Sequence, residues 1–341
     1  MRVSYFGTED DFSPSTGEGT QRYGYNIYKH MKEKIDSELV TSNSRLGLEK
    51  EAFMHRFESD IIHMPNFRLV YPKRKKPGSA VIITEHDFQP ILYPEFNYGE
   101  HAKLKTILRF KLVGMRLKSS LKADCLICNS SQTRNEAIKL GFDAKKAFVT
   151  NLGIDDRFAK PMPEKGKLDK FVVGYIGAMR KRKNLEFGVK AANFITDPKI
   201  AFDIWGKKSF EYEYLAGISK NNNLSFKGFA PEEKLVETYD SFDAFIFPSF
   251  HEGFGFEILE AQARGLPVIT YKDGKIPDEV RKYCFEAESP EHMAQIIENI
   301  KGNGYGEKSK KRAADYARSF TWERCADETL KAYGKALRWP K

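Results

Sequence analysis

Two glutamates, Glu252 and Glu260, stand on either side of a turn containing Gly253, Phe254 and Gly255. Ahead of them the apolar run from Phe242 to Phe247 predicts a buried parallel strand, which Pro248 ends. The two glycines let the backbone turn sharply and present its N–H groups. From Phe256 to Arg264 the spacing predicts a helix, whose start offers unpaired N–H groups and a partial positive charge to a phosphate. Carboxylates do not hold phosphate, but they accept hydrogen bonds well and so suit sugar hydroxyls. A diphosphate at the helix start with hydroxyls on either side describes a nucleotide sugar. A plain strand–turn–helix with solvated glutamates explains neither the two glycines nor both acids.

These residues lie inside P-S-x-x-E-G-F-G-x-x-x-L-E-A-x-A-x-G-x-P-V, running from Pro248 to Val268 with the glutamates at E-x7-E spacing. The stretch resembles the donor-binding signature of the retaining glycosyltransferases of family 4. That resemblance implies the GT-B fold, an α/β architecture. In that fold two Rossmann-like doubly wound domains face each other across a deep cleft, and a C-terminal helix crosses back to the first, which is the arrangement the resemblance implies here. It also implies that Glu252 grips the donor sugar and Glu260 the ribose.

A strand at Phe171 to Ile176 runs into Arg180-Lys181-Arg182-Lys183-Asn184, four cations beside a helix start, which suit a diphosphate. Arg182-Lys183-Asn184 resembles the family's R-K-N. Lys183 is the leading phosphate ligand, and Arg182 is favoured over Arg180 as its companion because Ala178 stands where many members carry arginine. The loop Gly228-Phe229-Ala230 matches one that lies near the nucleotide base, which makes Phe229 a base contact; Lys207 has less support. Strand–helix alternation through this half predicts a parallel doubly wound sheet. Ile276-Pro277-Asp278-Glu279-Val280 and Phe320-Thr321-Trp322-Glu323 extend the resemblance to the last helix.

The first half reads the same way. Strands are predicted at residues 2–6, 38–42, 60–64, 80–85 and 123–129, with Ser131 as an N-cap and a helix at 133–140. Between the first strand and a helix lies Gly17-Glu18-Gly19-Thr20-Gln21-Arg22-Tyr23, which is not a dinucleotide fingerprint. It resembles the family's G-G-x-x-R-Y loop, with Gly19 at the second glycine and Glu18 in place of the first. His86-Asp87 with Pro90 resembles H-D-x-x-P, whose histidine faces the donor sugar. A helix from His101 to Lys122 carries seven Lys or Arg between Lys103 and Lys122, and Lys73 to Lys76 add a second basic cluster. Such a helix rests on an anionic membrane surface or simply turns a solvated face outward; both readings stand. Nucleic acid ranks below, because no recognition module accompanies the charge.

A chain of 341 residues suits two domains. The expected division is an acceptor-binding domain at 1–154, a linker at 155–170, a nucleotide-sugar-binding domain at 171–318 and a returning helix at 319–341. Four cysteines make no disulfide framework, and Cys125-Leu126-Ile127-Cys128 reads as core strand rather than metal site. The polar start excludes a signal peptide, and no apolar run approaches the ~18 residues a bilayer span needs. A soluble, cytoplasmic protein is expected, with the inner face of the membrane as a further address. The charge of +9 favours anionic partners.

The expectation is therefore a retaining hexosyltransferase without cofactor or metal. It takes a GDP- or UDP-hexose and an acceptor hydroxyl on a glycan or lipid-linked saccharide. Arg182, Lys183 and the N–H groups at Phe254 and Gly255 stabilise the leaving diphosphate, with Glu252 and His86 on the sugar. The rivals are a nucleotide-sugar epimerase or hydrolase on the same fold, and a non-catalytic nucleotide-sugar binder.

Overall fold

The computed structural model describes residues 1–14, 19–66, 71–96, 114, 117, 118, 120–160, 169–209, 211–220 and 222–338. The chain divides into two compact units, one of Met1–Gly153 with Phe320–Lys341 and one of Ile154–Ser319. Most of the basic helix expected between His101 and Lys122 lies outside the described residues, as do Gly17 and Glu18.

Unit 1 begins with β1 (Arg2–Thr8), α1 (Gly19–Met31), β2 (Asp36–Ser42), α2 (Arg45–Met54), β3 (Arg56–Phe57), β4 (Ile61–Met64), β5 (Arg74–Lys75) and β6 (Ala80–Glu85). It continues with α3 (Gln89–Leu92), β7 (Cys125–Cys128), α4 (Ser131–Lys139) and β8 (Ala147–Val149). Six strands form a parallel sheet in the order β2-β1-β4-β6-β7-β8, while β3 and β5 pair separately. Side chains alternate across this sheet as strand geometry requires. Phe6, Ile62, Met64, Val81, Ile83, Leu126 and Cys128 pack with Leu48, Ala52 and Ala137 on one face. The cap of α4 differs from the expectation. Ser130 Oγ, not that of Ser131, accepts from Thr133 N at 3.1 Å, one residue earlier, because only that position keeps extended backbone before the first turn. Cys125 and Cys128 are buried free thiols.

Unit 2 runs β9 (Phe171–Ile176), α5 (Leu185–Phe194), β10 (Ile200–Trp205), α6 (Tyr212–Ile218), β11 (Leu224–Gly228), α7 (Leu235–Asp240) and β12 (Ala244–Phe247). Then follow α8 (Phe256–Ala263), β13 (Val268–Tyr271), α9 (Asp278–Arg281), β14 (Phe285–Ala287), α10 (Pro290–Asn303) and α11 (Glu307–Arg318). Its sheet is parallel throughout in the order β11-β10-β9-β12-β13-β14. Strands buried on both faces carry near-continuous apolar runs, as Ala244 to Phe247 does. Val173, Tyr175, Phe202, Ile204 and Ile246 meet Val189, Ala192, Met293 and Ile297 in the core. The strand order reverses between β9 and β12. In doubly wound sheets that switch point opens a crevice at the carboxyl ends of the strands, where ligands bind.

The stretch 155–160, expected inside a linker, is built into unit 2. Asp156–Ala159 forms a 3-10 turn, Phe158 is fully buried, and Arg264 donates to the carbonyls of Phe158 and Lys160. Arg264 also grips Asp240 through two bonds of 2.7 and 2.8 Å. Fixing this arginine requires fixing the strap, which is why polar composition alone misread it. The last helix, α12 (Trp322–Ala336), belongs to unit 1 and is capped by Thr321 Oγ1 accepting from Arg324 N. It packs beside α1, and a buried chain of polar groups ties it to the sheet. Tyr333 Oη lies 3.1 Å from Tyr5 Oη and 2.5 Å from His63 Nδ1. His63 Nε2 lies 2.8 Å from Thr84 Oγ1, which also meets Tyr23 Oη at 2.9 Å.

Candidate active site

The turn after β9 and the loop after β12 are stitched together before any charge is counted. Lys181–Lys183 make a 3-10 turn that Asn184 closes with φ of 50°, a left-handed geometry asparagine tolerates. Asn184 Nδ2 donates to Pro248 O at 3.0 Å, Phe250 N to Arg182 O at 2.9 Å, and Arg182 Nη1 to His251 O at 2.7 Å. From the other side, Lys275 N donates to Phe250 O and Glu252 N to Lys275 O. Gly255 then turns the chain into α8 with φ of 104°, which a side chain would strain.

This frame sets four charges against one another at the switch point. Glu252 Oε2 accepts from Arg182 Nη1 at 2.6 Å, and Glu252 Oε1 from Ser249 Oγ at 2.6 Å. Lys183 Nζ lies 2.9 Å from Glu252 Oε1 and 2.9 Å from Glu257 Oε1, and 4.7 Å from the centroid of the Phe247 ring. Burial alone raises a carboxyl pKa, but Arg182 and Lys183, with the Ser249 hydroxyl, outweigh it and hold Glu252 down at about 2. It stays an acceptor of hydrogen bonds at any ordinary pH.

Sequence reasoning placed Arg182, Lys183, Glu252, Gly253, Phe254, Gly255 and Glu260 in one site, and the structure brings them together on one turn, loop and helix of unit 2. It adds that the cations already pair with Glu252. Glu260 is 2 % exposed and accepts from Tyr239 Oη at 2.9 Å. Phe229, 55 % exposed, follows β11 on the same sheet edge, with Lys207 Nζ 5.1 Å from its ring centroid. Glu257 is the residue the reading missed. Its acid stands in the first turn of α8, where it reads as an ordinary complement to the helix dipole. Its partner Lys183 is 74 residues away, and no local signal links the two.

His86 and Gly19 sit in unit 1. Gly19 opens α1. His86 follows β6, and its Nε2 lies 3.0 Å from Pro65 O. The ring stands edge-on to Tyr23 at 5.1 Å, and Asn129 Nδ2 donates to its carbonyl at 2.9 Å. Burial lowers its pKa, opposed in part by that carbonyl of Pro65. A neutral imidazole donating through Nε2 follows. Among the described residues, no group of three or more His, Cys, Asp or Glu is arranged to hold a metal ion, and no helix is long and apolar enough to cross a membrane.

Two family profiles account for most of the chain: one described as Glycosyltransferase Family 4 matches residues 50–158, and one described as Glycosyl transferases group 1 matches residues 157–320. The chain belongs to the glycosyltransferases of the GT-B fold. The Escherichia coli O-antigen chain mannosyltransferase B is 26 % identical over 316 residues, covering 86 % of this chain and 80 % of that one. A D-inositol 3-phosphate glycosyltransferase of Mycobacteroides abscessus is 24 % identical over 239 residues, covering 63 % of this chain. There the chain spans about half of the relative, 53 %. Among solved structures, Anabaena HepE, crystallised with UDP and glucose, superimposes with a TM-score of 0.67 at 18 % identity, covering 96 % of this glycosyltransferase and 98 % of HepE.

Proposed function

We propose that this glycosyltransferase moves a hexose, with retention of anomeric configuration and without a metal, from a nucleoside diphosphate to a saccharide hydroxyl. One observation carries the reading. Two cations and two carboxylates are paired at the switch point of a doubly wound sheet, beside a helix start that a glycine opens. Arg182, Lys183 and the first N–H groups of α8 take up the charge of the departing diphosphate, the work a metal ion does elsewhere. Still paired with Arg182, Glu252 accepts from sugar hydroxyls through its remaining lone pairs. Glu260 takes the ribose and Phe229 the base, with His86 and Gly19 as further donor contacts. The acceptor oxygen attacks from the face the diphosphate leaves, and a leaving phosphate oxygen takes its proton. A mannosyltransferase among the relatives and a structural neighbour crystallised with UDP and glucose are in keeping with a hexose donor, for which a GDP- or UDP-hexose is the proposal.

The test is a panel of GDP-mannose, UDP-glucose, UDP-galactose and UDP-GlcNAc, each with and without oligosaccharide acceptors and with EDTA. Transfer by one donor, undiminished by EDTA, with the product anomer matching the donor by NMR is the expected result. Donor consumed equally without acceptor would instead mark a hydrolase or epimerase, and binding without turnover a non-catalytic protein.

A further inference from the structure

The carboxylate of Glu257 has no place in the reaction just described, yet it holds the cation that reaction needs most. Lys183 is 6 % exposed, and a buried ammonium requires anionic partners. It has two, Glu252 and Glu257, each at 2.9 Å. They are not equivalent. Glu252 is side-chain buried to 7 % exposure and bound in addition by Arg182 and Ser249. Glu257 is the more open of the pair, at 24 %. Losing Lys183 therefore costs Glu257 little, because water replaces the ammonium and the first-turn field of α8 still favours its charge. The same loss would strand charge in the interior at Glu252.

We propose that Glu257 is a positioning residue that parks Lys183 in place and yields it to a phosphate oxygen, so that it sets how tightly the nucleoside diphosphate is held. The inference rests on the functional reading above. With Arg182 and Lys183 balanced by Glu252 and Glu257, the free cluster carries no net formal charge. An arriving diphosphate must displace one carboxylate, and the exposed one is the one that leaves. The cluster thus attracts the anion only as far as Glu257 lets go, and the carboxylate that returns to Lys183 helps expel the spent nucleotide.

Calorimetric titration of UDP and GDP into the full chain tests this, alongside donor kinetics. Glu257→Gln keeps an acceptor for Lys183 but removes the opposing charge, so it should tighten nucleoside diphosphate binding about tenfold and lower donor KM and kcat together. Glu257→Asp, which restores the charge, should return affinity to within about twofold of wild type. In a Lys183→Ala background the Gln substitution should change nothing. Equal or weaker nucleotide binding by Glu257→Gln overturns the inference, as does a lower kcat without tighter binding, or an undiminished effect in the Lys183→Ala background. Wild type that binds neither UDP nor GDP overturns the functional reading instead.

Discussion

Each unit of this glycosyltransferase holds a polar cluster of contrasting kind, and the two are built on opposite terms. In unit 1, Tyr5, Tyr333, His63, Thr84 and Tyr23 form a chain of neutral groups, each fully buried. In unit 2, Arg182, Lys183, Glu252 and Glu257 form a charged group whose outer members are a quarter exposed. A neutral, buried network whose members already pair with one another has little reason to rearrange, because no ligand charge competes for them. It fixes α12 to the sheet. A charged cluster at strand ends is different, since each pair can be exchanged for a pair with a phosphate or a hydroxyl at similar cost. Rigidity and function are thus separated by chemistry before they are separated by position.

The sharpest way to break the comparison is to remove one charge from unit 2 and watch activity rather than fold. Glu252→Gln keeps the shape and the Ser249 contact but cannot pair with Arg182 and Lys183. Turnover should fall on the order of 10²–10³-fold, the cost of one preorganised contact. Far-ultraviolet circular dichroism should stay unchanged. Normal turnover would remove Glu252 from the site.

Next in size is pH, which reads the two clusters in offset windows that overlap only below 4.5. Burial, and secondarily His86, lowers His63 from 6.5 to about 3. Its neutral form is the folded one, so the unfolded chain binds the extra proton and stability falls as pH drops from 6.5 toward 3. His86, also lowered by burial, adds in the same direction. Glu252 contributes stability above 4.5 that is lost as pH falls through about 2. Denaturant titrations should therefore show stability declining between pH 6.5 and 4.5, with His63→Gln flattening that decline. Glu252→Gln should flatten only the part below 4.5. Each effect is on the order of a few kcal/mol. A single common window for both variants would contradict the division.

Tyr333→Phe probes the neutral side alone. It deletes the hydroxyl that Tyr5 and His63 share and leaves both buried without it, costing about 1–3 kcal/mol of stability. Thermal unfolding measures the loss, while donor KM on folded protein should not move. A changed KM with unchanged stability would reverse the roles assigned to the two clusters.

What was legible beforehand follows the same line. The strand, glycine turn and helix around Glu252 could be read because their signals are local: a short apolar run, Pro248, then residues free to turn. The strands at Phe171–Ile176, Ala244–Phe247, Ile61–Met64 and Ala80–Glu85 fell near their expected spans for that reason, whereas the three-residue edge strands β8 and β14 were not anticipated. The helix α2 was missed because Leu46, Phe53 and Met54 are exposed while Leu48 and Ala52 are buried, so apolar residues occupy both sides and no stripe stands out. The pairing of β3 with β5, two residues each, leaves no period to detect. His63 and Tyr333 are 270 positions apart, and neither residue type announces the other. Long-range pairing also hid the state of the site: cations and acids were placed correctly near one another, but their mutual neutralisation is a fact of geometry.

The smallest effect tests whether the charged cluster depends on its one neutral member. Ser249 Oγ donates to Glu252 Oε1, the same oxygen that faces Lys183. Ser249→Ala removes a donor that helps hold the carboxylate down and oriented, while leaving every charge in place. One hydrogen bond to a charged group is worth about 1.5–3 kcal/mol, and here Arg182 and Lys183 remain to compensate. The expected result is a several-fold fall in kcat with unchanged thermal stability, since Glu252 stays paired. A loss as deep as that of Glu252→Gln would mean the hydroxyl, rather than the cations, fixes this carboxylate, and the unit 2 cluster would then resemble unit 1 more than its charges suggest.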